Sequence, residues 1–519
     1  MKQLYERLEE YSHSDFYPFH MPGHKRIPLF DKSYSIDITE IDGFDDLHHP
    51  EGILHHSMER TAEWYGADQS FFLVNGSTGG ILAAISAVTN IGDTIAAARN
   101  CHKSVYHAMV LRNLRGVYVY PEMTGVLNIS GGLNPSCVEQ ALLKCPDAKA
   151  FVMVSPTYEG VVSDIESISQ IVHSHKIPLI VDEAHGAHFR FHDVFPVSAL
   201  ELGADIVIQS LHKTLPSMTQ TAVLHWKSQP WNAGQELLPG RLKQYLSIYQ
   251  TSSPSYVLMA SMEQGIEWMK QERSGRVQEY VENLFWLRET FQYLRHIRLL
   301  EPEDCAGCPG KPGQGEQRVW YDVSKIVFGT GRKAYSGRWL YERLLEQYHL
   351  QMEMCTPDYC IAMTSALDTR EGFYRLIKAL QELDQVIEDE LKQGDAFQNS
   401  VGQKSAVFSP VPGAKACMSW YEAMNCSKKT YHLRESAGKI AGEPVYLYPP
   451  GIPVVVPGEQ ITKEMVDLIC HYRQEGFSLK GMADGSGEYI AVIEEHKGEN
   501  NGKNILPDGK ECFRKGYDF

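Results

Sequence analysis

The sequence predicts an α/β protein built around a mostly parallel sheet. Between about residues 67 and 224, short apolar runs alternate with amphipathic stretches at the spacing of β-α-β units. Several of these runs end in polar residues, as parallel strands do where a sheet carries a ligand at its edge. The predicted strands are 71–74, 94–97, 117–120, 150–154, 179–181, 206–208 and 222–225.

The pattern changes after the last of these strands. Residues 263–297 have a long helical period, which predicts a helix leading out of the first domain. A smaller domain is expected to follow, with an apolar segment at 319–327 and a helix at 370–393. Closely spaced prolines and glycines in 448–459 predict a fixed irregular path. The predicted divisions are an N-terminal arm 1–45, a large domain 46–270, a small α/β domain 271–405, and a C-terminal domain with a surface tail 406–519.

Composition excludes several classes of partner. The 519 residues include 49 Lys and Arg against 65 Asp and Glu, a net charge of −16, which argues against nucleic acid or an anionic membrane surface. The N-terminal residues lack the apolar core of a signal peptide, and no apolar run reaches the roughly 18 residues of a membrane span. A soluble cytoplasmic protein is predicted. The net negative charge suits a cationic substrate, although a negative surface also keeps proteins soluble without any such substrate.

The eleven cysteines follow no regular framework, so reduced thiols are expected. Cys305 and Cys308 form a CxxC pair in a Pro/Gly-rich stretch, and no second pair follows at zinc-site spacing. An ordinary loop is the simpler interpretation, and a structural or redox role is the alternative.

A Gly/Ser-rich turn follows the first predicted strand. The run Asn75-Gly-Ser-Thr-Gly-Gly80 precedes an apolar helix. Its glycines let backbone N–H groups approach a dianion, the hydroxyls of Ser77 and Thr78 add donors, and the helix presents its positive end. This predicts a phosphate cup that also includes Gly79. An ordinary capped helix start has the same composition.

Two further strands end in chemistry-bearing side chains. Asp182 ends one, where its carboxylate could keep a pyridine nitrogen protonated and so make the ring an electron sink. A turn aspartate, or a metal site formed with His185 and His188, is the alternative.

Lys213 follows the next strand, and a desolvated lysine there suits a covalent Schiff-base anchor. One β-α-β step separates the two groups, so both can reach the same sheet edge.

His102 follows the strand at 94–97 and could stack flat on an aromatic ring. A lone histidine in this position is more often a hydrogen-bonded structural residue. Together with a phosphate cup, an aspartate and a lysine, however, the histidine completes the set that pyridoxal 5′-phosphate requires.

With these residues in hand, the chain resembles the pyridoxal-phosphate enzymes of the aspartate aminotransferase-like fold (fold type I). Within them it is similar to the bacterial ornithine/lysine/arginine decarboxylases, in the short form associated with polyamine biosynthesis and without the receiver-like domain of the large members. The matching motifs occur in the family's order over nearly the whole chain: HMPGHK (20–25), NGSTGG (75–80), CHKS (101–104), DEAHGAH (182–188), SLHKTLPSMTQ (210–220), QTSSPSY (250–256) and YPPGIPVVVPGE (448–459).

The resemblance implies roles for individual residues. Lys213 would carry the cofactor, Asp182 would pair with its pyridine nitrogen, His102 would stack on its ring, and His185 would lie near its phenolic oxygen. The residues implied to bind the phosphate are Ser77, Thr78, Gly79, Ser210 and His212.

The resemblance also implies shared active sites in a homodimer or higher oligomer. Thr251, Ser252 and Ser253 match a segment that family members insert into the neighbouring subunit, the first two toward the substrate and the third toward the cofactor. Glu459 matches an acidic position that meets the distal cationic group of the substrate. Arginine decarboxylation to agmatine is preferred, with lysine to cadaverine or ornithine to putrescine as alternatives.

Two other functions compete. The lysine, aspartate and phosphate cup also fit an aminotransferase or another pyridoxal lyase. A degenerate paralogue acting through protein contacts would be expected to have lost Lys213 or Asp182, and both are intact.

Overall fold

The computed structural model describes residues 15, 17–19, 25, 38–41, 43–123, 127–229, 231, 237–305, 321–393, 413–447, 451–477, 479–494, 504–505 and 511–512. Residues 20–24 of the HMPGHK motif, Cys308, residues 448–450 and most of the predicted surface tail lie outside the described residues.

A seven-stranded sheet forms the centre of the large domain, in the order β2-β8-β7-β6-β5-β3-β4. Strand β8 is antiparallel to both neighbours, and the pairs from β7 to β4 are parallel. All seven predicted strands are present, with ends within two residues of the predicted ones, so the predicted α/β fold is confirmed. The strands are β2 (Gln69–Leu73), β3 (Thr94–Ala98), β4 (Arg115–Val119), β5 (Ala148–Val154), β6 (Leu179–Asp182), β7 (Ile206–Gln209) and β8 (Ala222–Trp226).

Helices connect several of these strands, as expected for parallel pairs, and two more precede and follow the sheet in the chain. They are α1 (Ile53–Tyr65), α2 (Gly76–Val88), α3 (Lys103–Leu111), α4 (Pro135–Lys144), α5 (Ile165–Ser174), α6 (Leu211–Thr214) and α7 (Leu237–Tyr249), with a 3-10 turn at Phe189–Phe191.

The sheet separates two apolar cores. Successive residues of a strand point to opposite faces. Phe72 of β2 and Val223 of β8 accordingly join one core cluster, whereas Leu73 and Leu224 join the other. The central strands are buried throughout, which explains their continuous apolar runs in the sequence.

The predicted long helix at 263–297 is instead two helices, α8 (Tyr256–Gln271) and α9 (Arg276–Phe291). The helical period continues through both, but the chain turns between them, where Gly275 donates its N–H to the carbonyl of Glu272.

The small domain contains an antiparallel sheet in the order β12-β13-β10-β9. The predicted helix at 370–393 is present with the same bounds. The elements are β9 (Arg298–Leu299), β10 (Lys325–Gly329), α10 (Gly337–Tyr348), β11 (Leu350–Met352), β12 (Met354–Cys355), β13 (Cys360–Met363) and α11 (Arg370–Gln393), with 3-10 turns at Pro302–Asp304 and Lys333–Tyr335. The N-terminal arm contributes β1 (Tyr17–Phe19), which pairs in parallel with β11, a pairing that the sequence did not predict.

The C-terminal residues have a core cluster of their own, between Leu433 and Val492. Part of the segment 448–459 is regular, because β16 forms a strand at the edge of the sheet β16-β15-β17, where Pro453 is tolerated. The elements are α12 (Trp420–Asn425), β14 (Lys428–His432), β15 (Val445–Leu447), β16 (Ile452–Val455), α13 (Lys463–Gln474), β17 (Leu479–Lys480), β18 (Tyr489–Ile493), β19 (Asn504–Ile505) and β20 (Glu511–Cys512), with a 3-10 turn at Leu433–Glu435.

The domain boundaries at 45, 270 and 405 stay predictions. Within the described ranges, no helix combines the length and the hydropathy that crossing a bilayer would require.

Candidate active site

Lys213 lies in the short helix α6, just beyond the carboxyl end of β7. Its Nζ atom is 2.9 Å from Nε2 of His185. Burial lowers the pKa of Lys213; the charges of Asp182 and Glu353 oppose this shift, and that of Lys325 adds to it. The structure therefore places a lysine that gives up its proton readily at the edge of the sheet.

Asp182 is the last residue of β6, directly beside β7, where it pairs in register with Ile208. The side chain is buried, and its Oδ1 accepts a hydrogen bond of 3.2 Å from the Ala184 N–H. Burial raises the pKa of Asp182, and the positive charge of Lys213 lowers it. The aspartate and the lysine thus meet at one sheet edge, as the strand order of a β-α-β unit requires.

His185 is buried between Lys213 and an aromatic ring. The ring of Tyr158 meets its imidazole edge-to-face, with the centroids 4.7 Å apart. The other nitrogen, Nδ1, is buried and has no hydrogen-bond partner among the described residues. Burial and the charge of Lys213 hold the pKa of His185 well below its usual range, so the ring is neutral.

His102 caps the N-terminus of α3. Its Nδ1 lies 2.9 Å from the hydroxyl oxygen of Ser104 and 3.3 Å from the backbone nitrogen of Ser104, which donates to it. Burial, and then the charge of Lys213, lowers the pKa of His102 to about 3. The ring is therefore uncharged and held in one orientation near the lysine.

The predicted phosphate cup is at the N-terminus of α2, which begins at Gly76 directly after β2. Gly80 brings this helix against β7, since a Cβ there would lie 3.2 Å from Cγ2 of Ile208. Ser210 follows β7, and its hydroxyl is buried without a hydrogen-bond partner among the described residues. His212 is anchored through Nδ1, 2.9 Å from the carbonyl of Thr221. The helix start and the lysine segment thus converge on the same part of the sheet.

The alternative metal site does not form. His185 contacts Lys213, whereas Nε2 of His188 lies 3.2 Å from a carboxylate oxygen of Asp322. Across the part of the chain that the structure describes, no cluster of three or more His, Cys, Asp or Glu is arranged to hold a metal ion.

Comparison with protein families decides the assignment. Residues 2–311 match the family model described as "Orn/Lys/Arg decarboxylase, major domain", and residues 402–482 match "Orn/Lys/Arg decarboxylase, C-terminal domain". The chain belongs to the Orn/Lys/Arg decarboxylase family. The resemblance predicted from the motifs is confirmed, and the protein is an amino-acid decarboxylase.

Relatives of this decarboxylase extend over nearly its whole length. It is 33% identical to the uncharacterized protein YaaO of Bacillus subtilis, covering 95% of this chain and 99% of that protein. It is 31% identical to the arginine decarboxylase of Bacillus subtilis, covering 95% and 98% respectively. The crystal structure of the Francisella novicida lysine decarboxylase LdcF superimposes with a TM-score of 0.73 at 19% identity, covering 94% of this chain and 80% of that one, which shows a shared fold.

Glu459 of this decarboxylase is engaged within its own chain. Its Oε2 forms a buried ion pair of 2.9 Å with Arg99 and accepts a 3.0 Å hydrogen bond from the Val456 N–H. Its Oε1 is buried and has no partner among the described residues. Contact of Glu459 with a substrate stays a prediction, and Arg99 is a partner that the sequence did not reveal.

Thr251, Ser252 and Ser253 are exposed and make no described contact with Lys213. The carbonyl of Thr251 lies 2.8 Å from Nε2 of His48, and its hydroxyl accepts from the N–H of Ser253 at 3.2 Å. Their insertion into a neighbouring subunit stays a prediction.

Sequence reasoning missed three residues that support the site. Ser104 holds His102, Tyr158 packs on His185, and Glu353 accepts a hydrogen bond from Tyr158. Tyr158 could have been found, because it follows the predicted strand 150–154 at the same sheet edge. Glu353 carries no such signal, since it lies 195 residues further along the chain than Tyr158.

Proposed function

We propose that this decarboxylase binds pyridoxal 5′-phosphate on Lys213 and converts arginine to agmatine for polyamine biosynthesis. The single observation that carries the cofactor proposal is the buried contact of 2.9 Å between Nζ of Lys213 and Nε2 of His185, at the sheet edge that Asp182 shares. Lysine and ornithine are the alternative substrates.

The side chains at this edge fit the cofactor. Two buried polar atoms, the hydroxyl of Ser210 and Nδ1 of His185, have no hydrogen-bond partner among the described residues, and an unpaired buried group is costly unless a ligand satisfies it. Phosphate oxygens would suit the hydroxyl, and a phenolic oxygen would suit the imidazole. Further phosphate contacts would come from Ser77, Thr78, Gly79 and His212.

Asp182 and His102 complete the cradle. When bound, the cofactor would supply a protonated pyridine ring that accepts the electron pair of the breaking Cα–carboxylate bond. A carboxylate oxygen of Asp182 would hold the proton on the pyridine nitrogen. The neutral ring of His102 would restrict the pocket to a flat aromatic ligand.

Lys213 and His185 are the residues proposed to transfer protons in the reaction. Because burial lowers the pKa of Lys213, its amine reaches the uncharged, nucleophilic state more readily than an exposed lysine. The lysine can later deliver a proton to the substrate Cα, with His185 in contact with the same nitrogen. Residues held in this arrangement would also orient the substrate, and its orientation would determine which bond breaks.

The proposed substrate is supported by relatives whose names state arginine decarboxylase, at 30% to 31% identity over most of this chain. The free Oε1 of Glu459 is a buried acceptor suited to a cationic group. We also propose that the enzyme works in the cytoplasm as a homodimer or larger oligomer in which Thr251, Ser252 and Ser253 reach the neighbouring site.

The test uses carboxyl-labelled arginine, lysine and ornithine with purified protein and added cofactor. We expect a visible absorption band that Lys213→Ala removes, and release of labelled carbon dioxide fastest from arginine without any keto acid. No band with the wild-type protein would reject Lys213 as the anchor. A requirement for a keto acid would instead indicate an aminotransferase, and faster release from lysine or ornithine would reject arginine.

A further inference from the structure

The loop between β5 and α5 places Tyr158 against the histidine that contacts Lys213. The rings of Tyr158 and His185 meet at 65°, with their centroids 4.7 Å apart, an edge-to-face geometry that aromatic pairs favour. Nε2 of the same imidazole lies 2.9 Å from Nζ of Lys213. Whatever fixes the Tyr158 ring therefore also fixes the imidazole beside the lysine.

Two reciprocal Tyr–Glu hydrogen bonds hold this loop to the small domain. The hydroxyl of Tyr158 donates to Oε1 of Glu353 at 2.5 Å, and the hydroxyl of Tyr359 donates to Oε1 of Glu159 at 2.8 Å. The loop and the segment from β11 to β13 each contribute one tyrosine and one glutamate. The first pair contacts His185 through the Tyr158 ring, and no contact of the second pair with His185 is seen among the described residues, so the second pair provides a matched internal control.

Glu353 also places negative charge near buried cations. Burial lowers the pKa of Lys213 and of Lys25, and Glu353 opposes both shifts after the larger effects of Asp182 on Lys213 and of Asp368 on Lys25. The other buried cation nearby, Lys325, has its own counter-ion in Asp322, 3.1 Å away. Glu353 thus offsets positive charge at the lysine site while it holds Tyr158.

We propose that Tyr158 and Glu353 are positioning residues that hold Nε2 of His185 against Nζ of Lys213, Tyr158 through its ring and Glu353 by accepting the Tyr158 hydroxyl. The inference rests on the proposed function, because it assigns two more residues to the same lysine. It also makes the small domain part of the site, since Glu353 lies between β11 and β12.

The first test compares Tyr158→Phe with Tyr359→Phe in the full-length protein before cofactor is added. Each change removes one hydroxyl from the same junction. We expect carbethoxylation of His185 by diethylpyrocarbonate, read by peptide mass spectrometry, to become about fivefold faster in Tyr158→Phe, as expected when one hydrogen bond is lost. Tyr359→Phe should leave this rate within about twofold of wild type. With cofactor and substrate, Tyr158→Phe should lower kcat more than it changes KM.

The second test compares Glu353→Gln with Glu159→Gln. Glutamine keeps an acceptor for the tyrosine hydroxyl but removes the charge. We expect carbethoxylation of His185 to stay within about twofold of the wild-type rate in both variants, because each tyrosine hydroxyl keeps its acceptor.

Equal His185 rates in Tyr158→Phe and Tyr359→Phe, or a His185 rate in Glu353→Gln as fast as that in Tyr158→Phe, would overturn the proposal. Both readouts precede cofactor addition. A missing visible band or missing carbon dioxide release would therefore reject the proposed function separately.

Discussion

At the scale of single residues, Ser210 shows how a buried group without a partner can indicate a ligand. Its hydroxyl is fully buried, and within the described residues it forms no hydrogen bond. A native protein keeps such a group when the ligand satisfies it. Ser217 is equally buried, but its hydroxyl lies 2.8 Å from that of Thr221 and 3.0 Å from that of Ser261.

We expect Ser210→Ala to raise the dissociation constant for pyridoxal 5′-phosphate by about tenfold or more, as for loss of a hydrogen bond to a charged group, without lowering the stability of the cofactor-free protein. Ser217→Ala should do the opposite and lower stability by about 1 kcal/mol with little change in cofactor affinity. Cofactor titration and thermal unfolding measure the two effects. Similar affinity losses in both variants would contradict a phosphate contact for Ser210.

The protonation of His102 makes the stability of the folded protein depend on pH. Its pKa is about 3 in the folded chain, against about 6.5 for an unfolded histidine. Below about pH 6 the unfolded chain therefore binds a proton that the folded chain does not, and the wild type loses stability as the pH falls.

We expect the free energy of unfolding of wild type, relative to His102→Phe, to fall by about 1.4 kcal/mol per pH unit between about pH 6 and pH 4. Denaturant unfolding of both proteins across this range measures the difference. A difference that does not vary with pH would show that His102 is protonated in the folded protein.

At the scale of elements, the contact of α2 with the sheet positions the proposed phosphate cup. A Cβ on Gly80 would lie 2.5 Å from Cδ1 of Leu73 and 3.2 Å from Cγ2 of Ile208. A larger residue at position 80 would force the side chains of Leu73 and Ile208 to move. Gly240 of α7 is a matched control, because a Cβ there would meet nothing within 4 Å.

We expect Gly80→Ala to lower the free energy of unfolding by about 1–3 kcal/mol through overpacking, and to weaken cofactor binding as the helix shifts. Gly240→Ala should be neutral or stabilise by up to about 1 kcal/mol, because alanine loses less backbone entropy in a helix. Denaturant unfolding compares the two. If Gly80→Ala proved as stable as Gly240→Ala, close packing of α2 on β7 would not be needed.

At the scale of the whole molecule, the buried pair of Arg99 and Glu459 joins the large domain to the C-terminal residues. Arg99 also donates to the carbonyl of Pro453 at 2.7 Å. Removing one member of a buried pair leaves the other charge uncompensated, whereas exposed pairs contribute little. Arg115 and Asp147 form an exposed pair of 3.0 Å for comparison.

We expect Arg99→Met to lower the free energy of unfolding by about 3–5 kcal/mol, and the double variant Arg99→Met/Glu459→Gln to recover much of that loss. Arg115→Met should change it by less than about 1 kcal/mol. Thermal or denaturant unfolding of the full chain distinguishes these outcomes. A double variant no more stable than Arg99→Met would mean that Arg99 acts through its carbonyl contacts.

The sequence by itself determined the large sheet and the residues at its edge. Apolar runs of parallel strands are local signals in the sequence. Asp182 ends one such run and Lys213 follows the next one closely, so the β-α-β rule predicts that they meet at one sheet edge. The bounds of the helix Arg370–Gln393 also agreed with its local period. The single helix predicted at 263–297 was wrong because the helical period continues through the turn at Gly275.

Only the tertiary structure decided which side chains support that edge. Tyr158 and Glu353 are 195 residues apart, and Arg99 and Glu459 are 360 apart. The parallel pairing of β1 with β11 also joins residues that are far apart in sequence. Such contacts depend on how separate domains dock, and no local period or motif in one chain segment records the position of another. The position of Lys213 at the sheet edge could therefore be predicted from its neighbours in sequence, but the residues that contact His185 beside it could not.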